Sequence, residues 1–545
     1  MKSMASQKHD LERTSRAPKR AGAAIAGLLA LFWTAGCGSD AQEEVAPLLV
    51  VGIDGLDPVI LGELLEAGRV PTFQRFVDEG SLGRLQTMVP TFSPVIWTTI
   101  ATGQPPEVHG VLDFLDTSMV EPGGADKGLP FTSNAREVPA IWNLASEAGR
   151  SVDCTGWWVT WPAENINGRM VASYAAQAQA EILWKPTLWD DLEDMTWPAA
   201  LAAEVKEHLL LADGIEQVLP HVRESFPIPE ELDAQAGRIV TDLAWTFAAD
   251  LSVAQVTSHL LDTGQADLTM AYLATPDVAG HRFWRYYAPG DMNYPVPEKL
   301  IREYEDYIAL SYVAADRMLG ELIARAGDDT TVLVLSDHGM HEDPYNVDKP
   351  AALNSGAHED APDGVVGMLG PLAEALGDRL GAARPLGHVG EVAPLVLQLQ
   401  GVPVPRDWPA AGTQRRALEN LLDEEWRVAH PLTVGPGMAD FRGATPSRVP
   451  AAGMNQKFVK NMQDLGYLGG TEAQEGADPE SMDSNGGAAS QAEPGSGADS
   501  EGSTVEDGAD AERHDEDCDD ENCPGCVDEE SPEQADPASQ DTNDA

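Results

Sequence analysis

The segment Thr331–Met340, TVLVLSDHGM, constrains this chain most. It opens as an unbroken run of apolar, mostly β-branched residues, the pattern of a strand buried on both faces. Such strands belong to parallel sheets covered by helices. The segment closes on Asp337-His338-Gly339, a carboxylate and an imidazole at the carboxyl end of the strand. Open α/β sheets gather their ligands at that end. Both side chains are metal ligands by type. An isolated Asp-His pair is also how a strand stops at an Asx turn, and these residues alone leave both readings open.

Two further apolar runs have the same build. Pro47–Asp54, PLLVVGID, ends in an acid, and Asp57-Pro58 then supplies an N-cap and a first helical residue. Helical spacing follows over Val59–Ala67 and is closed by Gly68. Leu268–Ala274 runs into Asp277-Val278-Ala279-Gly280-His281. An Asp and a His four apart, in a turn or a first helical turn, can face one centre. Glu303–Gly327 is an amphipathic helix with Ile308, Tyr312, Leu319 and Ile323 on one side. It leads into the Thr331 strand, which predicts a βαβ unit with a right-handed crossover. Ile141–Gly149 reads as a helix and Ser151–Trp158 as a strand. This alternation predicts a three-layer α/β/α sandwich with a mostly parallel central sheet. The stretch from about Ala175 to Leu261 reads as helical and acidic with no strand, an insertion or cap overhanging the site.

Length and charge bound the rest. The 545 residues suit one large domain with insertions. A net charge of −54 argues against nucleic acid as a partner. Residues 471–545 hold 25 Asp/Glu against one Arg, in a background of Gly, Ser and Ala, the composition of a disordered tail. Five scattered cysteines are no disulfide framework, and Cys154 reads as a core residue. The tail cysteines Cys518, Cys523 and Cys526, with His514, match no finger spacing. They read as part of a solvating tail, with weak divalent-ion binding as the alternative.

The amino-terminal 36 residues read as a secretory signal: a basic stretch to Arg20, a short apolar run Ala21–Thr34, then small residues before Cys37. The apolar run is too short for an ordinary span. Thr34-Ala35-Gly36-Cys37 resembles the bacterial lipoprotein box, with Thr34 where a Leu is usual. That resemblance implies lipidation of Cys37, a tether over residues 37–46, and a domain over 47–470 held to the cell envelope only by the anchor; a simple cleaved signal with an incidental Cys is the alternative. The location expected is the periplasm or the outer membrane.

Thr87–Gly103 places Ser93-Pro94 at a helix start, with Ser93 read as the N-cap and Pro94 as the first helical residue. A hydroxyl there sits beside free backbone N–H groups and the positive end of the helix dipole. That suits a nucleophile toward phosphate, although a Ser-Pro start can equally serve as a cap alone. Ser355-Gly356-Ala357-His358 lies in a polar, Gly-containing loop. The candidate ligands are then Asp54, Ser93, Asp277, His281, Asp337, His338 and His358.

Their order and spacing resemble the alkaline phosphatase superfamily, and within it the type I phosphodiesterase/nucleotide pyrophosphatase branch. The motifs are Gly52–Gly55 (GIDG), Pro90–Ser93 (PTFS), Thr102–Gly110 (TGQPPEVHG), Pro276–His281 (PDVAGH), Asp337–Met340 (DHGM) and Gly356-Ala357-His358. The resemblance implies an alkaline phosphatase-like fold and two divalent metal ions, usually zinc. One ion would take Asp277, His281 and His358; the other Asp54, Asp337 and His338, with Ser93 reaching toward it. It implies hydrolysis of a small-molecule phosphoester, a diester or pyrophosphate, through a phosphoseryl intermediate with retention at phosphorus. A phosphomonoesterase of the same superfamily, or a non-catalytic surface lipoprotein, are the alternatives.

The chain departs from that branch in two places. Ser93 stands where the nucleotide pyrophosphatases have Thr, and Phe114 stands where they have an Asn that binds a phosphate oxygen. Phe114 cannot make that hydrogen bond, so a nucleotide substrate is less secure than phosphoester hydrolysis in general. The sulfatase branch is disfavoured, because Ser93-Pro94-Val95-Ile96-Trp97 lacks its proline spacing and its Arg. His109 reads as a brace behind the nucleophile helix and His341 has no ligand pattern; contact with substrate through Phe114, His109 or His341 is the alternative for each.

Overall fold

The computed structural model describes residues 45–116, 129–175, 193–212, 214–229, 232, 234–360, 362–409 and 416–437. Cys37, the expected signal segment and the acidic tail lie outside these residues. So do Trp184 and Trp189, which the sequence leaves as either packing residues or, with Trp197, the lining of a substrate cleft.

A ten-stranded sheet forms the middle layer. Its strands are β1 (Leu48–Ile53), β2 (Ser81–Gln86), β3 (Val152–Thr155), β4 (Gly168–Val171), β5 (Thr196–Trp197), β6 (Leu268–Leu273), β7 (Thr331–Leu335), β8 (Gly364–Leu369), β9 (Gly377–Arg379) and β10 (Gly387–His388). The spatial order is β9-β2-β8-β7-β1-β6-β3-β4-β5, with β10 also on β2. From β7 through β4 every pairing is parallel, while β8 and β5 run the other way. Strands β1, β6 and β7 are buried at every position, as their uninterrupted apolar runs require.

Helices cover the sheet in two groups. The long helix α3 (Ala234–Thr263) packs on β6 and β3, and against α4 (Thr275–Tyr287) and α5 (Tyr307–Ala326). In the other group, α2 (Ser93–Thr102) and Ile141–Glu147 both pack against Val392–Leu399. A shorter helix α1 (Pro58–Glu66) leaves β1, capped by Asp57, whose Oδ1 accepts from the N–H groups of Val59 and Ile60. Among the described residues no helix is long and apolar enough to cross a membrane.

Several boundaries differ from the sequence expectation, each for a local reason. Gly156 takes a left-handed φ of +71°, which ends β3 at Thr155 rather than Trp158. The helix expected over Glu303–Gly327 starts at Tyr307, with a separate helix at Glu298–Tyr304 before it. The stretch expected to lack strands contains β5, which adds to the sheet edge by pairing with β4. Within that stretch, α3 buries Ile239, Leu243, Phe247, Val253, Val256 and Leu260, so it forms part of the helical layer on the sheet.

Candidate active site

Parallel register brings the strand ends level. Leu48 pairs with both Leu268 and Thr331, so the residues after β1, β6 and β7 emerge side by side at one edge of the sheet. Asp54 follows β1, Asp337 and His338 follow β7, and Asp277 lies in the first turn of α4 after β6. Gly55 makes this convergence possible. Its φ is +73°, and a Cβ there would lie 2.6 Å from the Asp277 Cα. Only a glycine allows the two loops to touch at that point.

The first cluster is Asp54, Asp337 and His338, all fully buried. The His338 Nε2 lies 3.3 Å from the Asp54 Oδ1 and 3.3 Å from the Asp337 Oδ2. The other atoms of these groups are already engaged. Asp54 Oδ2 accepts from the Trp97 indole (3.0 Å) and from the Tyr272 hydroxyl (2.5 Å). His338 Nδ1 faces the Gly339 carbonyl at 2.9 Å. A carbonyl only accepts, so Nδ1 carries the proton and Nε2 presents its lone pair.

The second cluster is Asp277, His281 and His358. Asp277 Oδ1 lies 3.4 Å from the His281 Nε2 and 3.8 Å from the His358 Nε2. His281 Nδ1 donates to the Gly356 carbonyl at 2.8 Å, which again leaves Nε2 as the free ligand atom. The His358 loop is more ordered than a polar loop: Gly356–Ala357 pairs with His341–Glu342 as a short antiparallel ladder. Arg285, on α4, donates to the carbonyls of Pro350, Ala352, Leu353 and Asn354 and so ties the preceding segment to the helix that carries Asp277 and His281. The His358 ring stacks on His338, with centroids 3.9 Å apart, and joins the two clusters.

Buried Asp250 holds α4 at its start. Its carboxyl accepts from the N–H groups of Ala274 and Thr275 and from the Thr275 hydroxyl. Burial pushes its pKa up to about 7. Asp57 ties the other two loops: its Oδ2 accepts from the Met340 N–H, beyond His338.

Ser93 begins α2, but as its first residue. The Phe92 carbonyl accepts from the N–H groups of Val95 and Ile96, which makes Phe92 the N-cap. The hydroxyl is therefore relieved of the capping role expected for it. Trp97 sits four residues after Ser93 on the same face of α2, and its indole bonds Asp54. That bond docks the start of α2 beside the first cluster.

Electrostatics decide what these clusters can hold. Burial, then the charge of Asp54, pushes the Asp277 pKa up to about 8, and the same causes hold Asp337 well above the usual carboxylate range. Burial lowers the pKa of His281, and burial with neighbouring imidazoles lowers that of His358, so both rings are neutral. The buried Asp54 Oδ1, Asp337 Oδ2, His338 Nε2 and Asp277 Oδ1 have no hydrogen-bond partner. Orphaned buried acceptors of this kind are costly in a native fold. A divalent cation in each cluster would satisfy them and offset the crowded negative charge. The donor set of carboxylate oxygens and neutral imidazole nitrogens fits such ions.

His109 lies apart from this centre. It is fully buried, its Nδ1 accepts from the Val111 N–H, and its Nε2 meets the Thr99 hydroxyl on α2 at 3.1 Å. Burial first, then Arg136, lowers its pKa to about 4. These bonds tie the ring to α2 and to the loop at Val111. His341 is half-buried, and its backbone pairs with Ala357. Phe114 is half-buried beside Phe92 and Trp158.

The braces Trp97, Tyr272 and Asp250 were not singled out from the sequence. Only Trp97, at helical spacing from Ser93, left a signal there. A Tyr272→Phe protein is expected to bind one equivalent of divalent ion roughly 10–100-fold more weakly, with the second equivalent little changed. Calorimetric titration with zinc alone reads both affinities.

Residues 48–385 match the family described as type I phosphodiesterase/nucleotide pyrophosphatase. Among solved structures the chain is similar to phosphonoacetate hydrolase from Sinorhizobium meliloti 1021, at 21% identity over 55% of this chain and 57% of that one, with a TM-score of 0.34. It is similar to murine ectonucleotide pyrophosphatase/phosphodiesterase 5 at 13% identity, covering 69% of this chain and 100% of that one, with a TM-score of 0.40. For a sulfatase-like protein from Bacteroides thetaiotaomicron VPI-5482 the identity is 12%, the coverage 67% and 73%, and the TM-score 0.39.

Proposed function

Because this chain belongs to the type I phosphodiesterase/nucleotide pyrophosphatase family, we propose that it is a two-metal hydrolase of phosphodiesters or pyrophosphates, with Ser93 as nucleophile. The observation that carries the reading is the set of buried, unpartnered ligand atoms in two facing clusters.

Two divalent cations, zinc by the donor set, supply charge neutralisation and Lewis acidity at the phosphoryl oxygens when bound. Asp54, Asp337 and His338 would hold one, and Asp277, His281 and His358 the other. Ser93 attacks phosphorus with its Oγ from the amino end of α2, where unbonded N–H groups favour negative charge. The P–O bond to the ester oxygen breaks and the alcohol leaves. Water then cleaves the phosphoserine, which restores Ser93 and gives net retention at phosphorus. Trp97 and Tyr272 keep Asp54 oriented throughout, through hydrogen bonds to its Oδ2.

Export and lipid attachment through Cys37 belong to the same proposal. They rest on the basic, apolar and small-residue order of the first 37 residues.

The test is metal analysis of the purified protein together with rates on aryl phosphate diesters and monoesters. About two equivalents of divalent ion and faster diester turnover are expected. Faster monoester turnover would reassign the protein as a phosphomonoesterase. A protein that takes up no divalent ion and cleaves no ester would be a binding protein on a hydrolase fold.

A further inference from the structure

A row of aromatic rings leads away from the centre. Phe92 immediately precedes Ser93, and its ring lies 5.8 Å from that of Phe114. Phe114 is 6.1 Å from Trp158, edge to face, and Trp158 is 6.2 Å from Tyr272. Tyr272 in turn bonds Asp54. The row thus starts at the nucleophile and ends at a carboxylate of the first cluster. The core beside it already holds a fully buried aromatic pair, Trp97 and Trp157. Phe92, Phe114 and Trp158, by contrast, are only partly buried. Val89 and Leu112, on the same two segments, are 76% and 56% exposed. A continuous apolar surface beside a polar centre marks a binding face.

The backbone holds these rings in place. The Phe114 carbonyl accepts from the Phe131 N–H, just beyond the hairpin of Leu115–Asp116 with Leu129–Pro130. Val159, next to Trp158, has φ +57°, a left-handed conformation that a β-branched residue rarely adopts. The Arg136 guanidinium, paired with buried Glu164, donates to the Val159 carbonyl. Strain of this kind persists only where the surroundings impose it, and it gathers at ligand sites.

We propose that Phe92, Phe114 and Trp158 form a subsite for the apolar alcohol of the ester, so that this centre prefers phosphoesters of hydrophobic alcohols over those of small polar ones. The proposal rests on the hydrolase reading above and names its substrate class. The Phe92 and Phe114 rings carry no hydrogen-bonding group, so they select by apolar area. Each methylene buried there is expected to raise kcat/KM by up to about fourfold.

The experiment uses the full chain with its metals and three substrates: dimethyl, dihexyl and dibenzyl phosphate. Their alcohols are similar leaving groups, and products are quantified by chromatography. For the unaltered protein, kcat/KM on the dihexyl or dibenzyl ester should exceed that on the dimethyl ester by at least about tenfold. In Phe114→Ala and Trp158→Ala that ratio should fall toward one. The ratio is internal to each protein, so partial misfolding does not imitate the result. A preference for hexyl assigns the subsite to lipid-like alcohols and a preference for benzyl to aromatic ones; either supports the proposal. A ratio near one in the unaltered protein, or one that survives in both variants, overturns the subsite and leaves the hydrolase reading standing. No cleavage of these esters or of the aryl panel overturns both.

Discussion

A Ser93→Ala protein is expected to lose at least about 10³-fold in kcat while keeping its full complement of divalent ions. The size follows from removing the nucleophile of a covalent route, where residual rate comes from binding and charge stabilisation alone. Metal retention follows from the geometry. The six ligand atoms belong to Asp54, Asp337, His338, Asp277, His281 and His358, and each cluster is complete without the hydroxyl. The substitution also spares α2, because the Phe92 carbonyl, not the Ser93 side chain, receives the first helical bonds. Elemental analysis, turnover and mass-spectrometric trapping of a phosphorylated Ser93 peptide together read the outcome. Retention of most activity would move the nucleophile to Thr91 or end the covalent scheme.

Stripping the metals is expected to make the fold pH-sensitive in a defined direction. Burial and the neighbouring Asp54 raise the Asp277 pKa to about 8, and Asp337 is raised as well. An unfolded Asp titrates near ~3.9. The folded, metal-free protein therefore binds more protons than the unfolded chain between those values. Its stability is greatest below about pH 4 as far as these groups are concerned, and it falls as pH rises toward 8. Bound cations replace the protons and remove that dependence. Below about pH 6.5 the lowered pKa values of His109, His281 and His358 act in the opposite sense, so the melting temperature of chelator-treated protein should drop between about pH 6.5 and 8, and that of zinc-reloaded protein should not. Equal slopes for the two forms would mean that these carboxylates do not meet a cation. The same linkage predicts that zinc uptake releases protons and strengthens as pH rises.

The sequence revealed the sheet and the ligand positions because they share one physical cause. Leu48–Ile53, Leu268–Leu273 and Thr331–Leu335 are buried on both faces, so each is a continuous apolar run that ends abruptly in polar residues. The polar residues at those ends are the candidate ligands. What stayed hidden depends on partners distant in sequence. Tyr272 reads as one more apolar strand residue, and only the fold brings its hydroxyl to Asp54, 218 positions away. Asp250 reads as one charge on a long helix until its carboxyl is found over the start of α4. The two-residue strand β5 is too short to show alternation, and it exists because the edge of β4 is there to pair with. At Ser93 the error was one residue of register: the Ser-Pro start fits Ser as the cap, yet the Phe92 carbonyl receives the first helical bonds.

Arg285 has one further consequence, for how this chain can change over generations. Its guanidinium reads only backbone oxygens along 350–354, so it is indifferent to which side chains that stretch displays. The exposed Ala351 can therefore change without loosening that tie, whereas Leu353, which packs against the core, cannot change so freely. Arg285 thus fixes the path of the main chain leading to His358 through backbone oxygens, a hold that survives changes of exposed side chains along it.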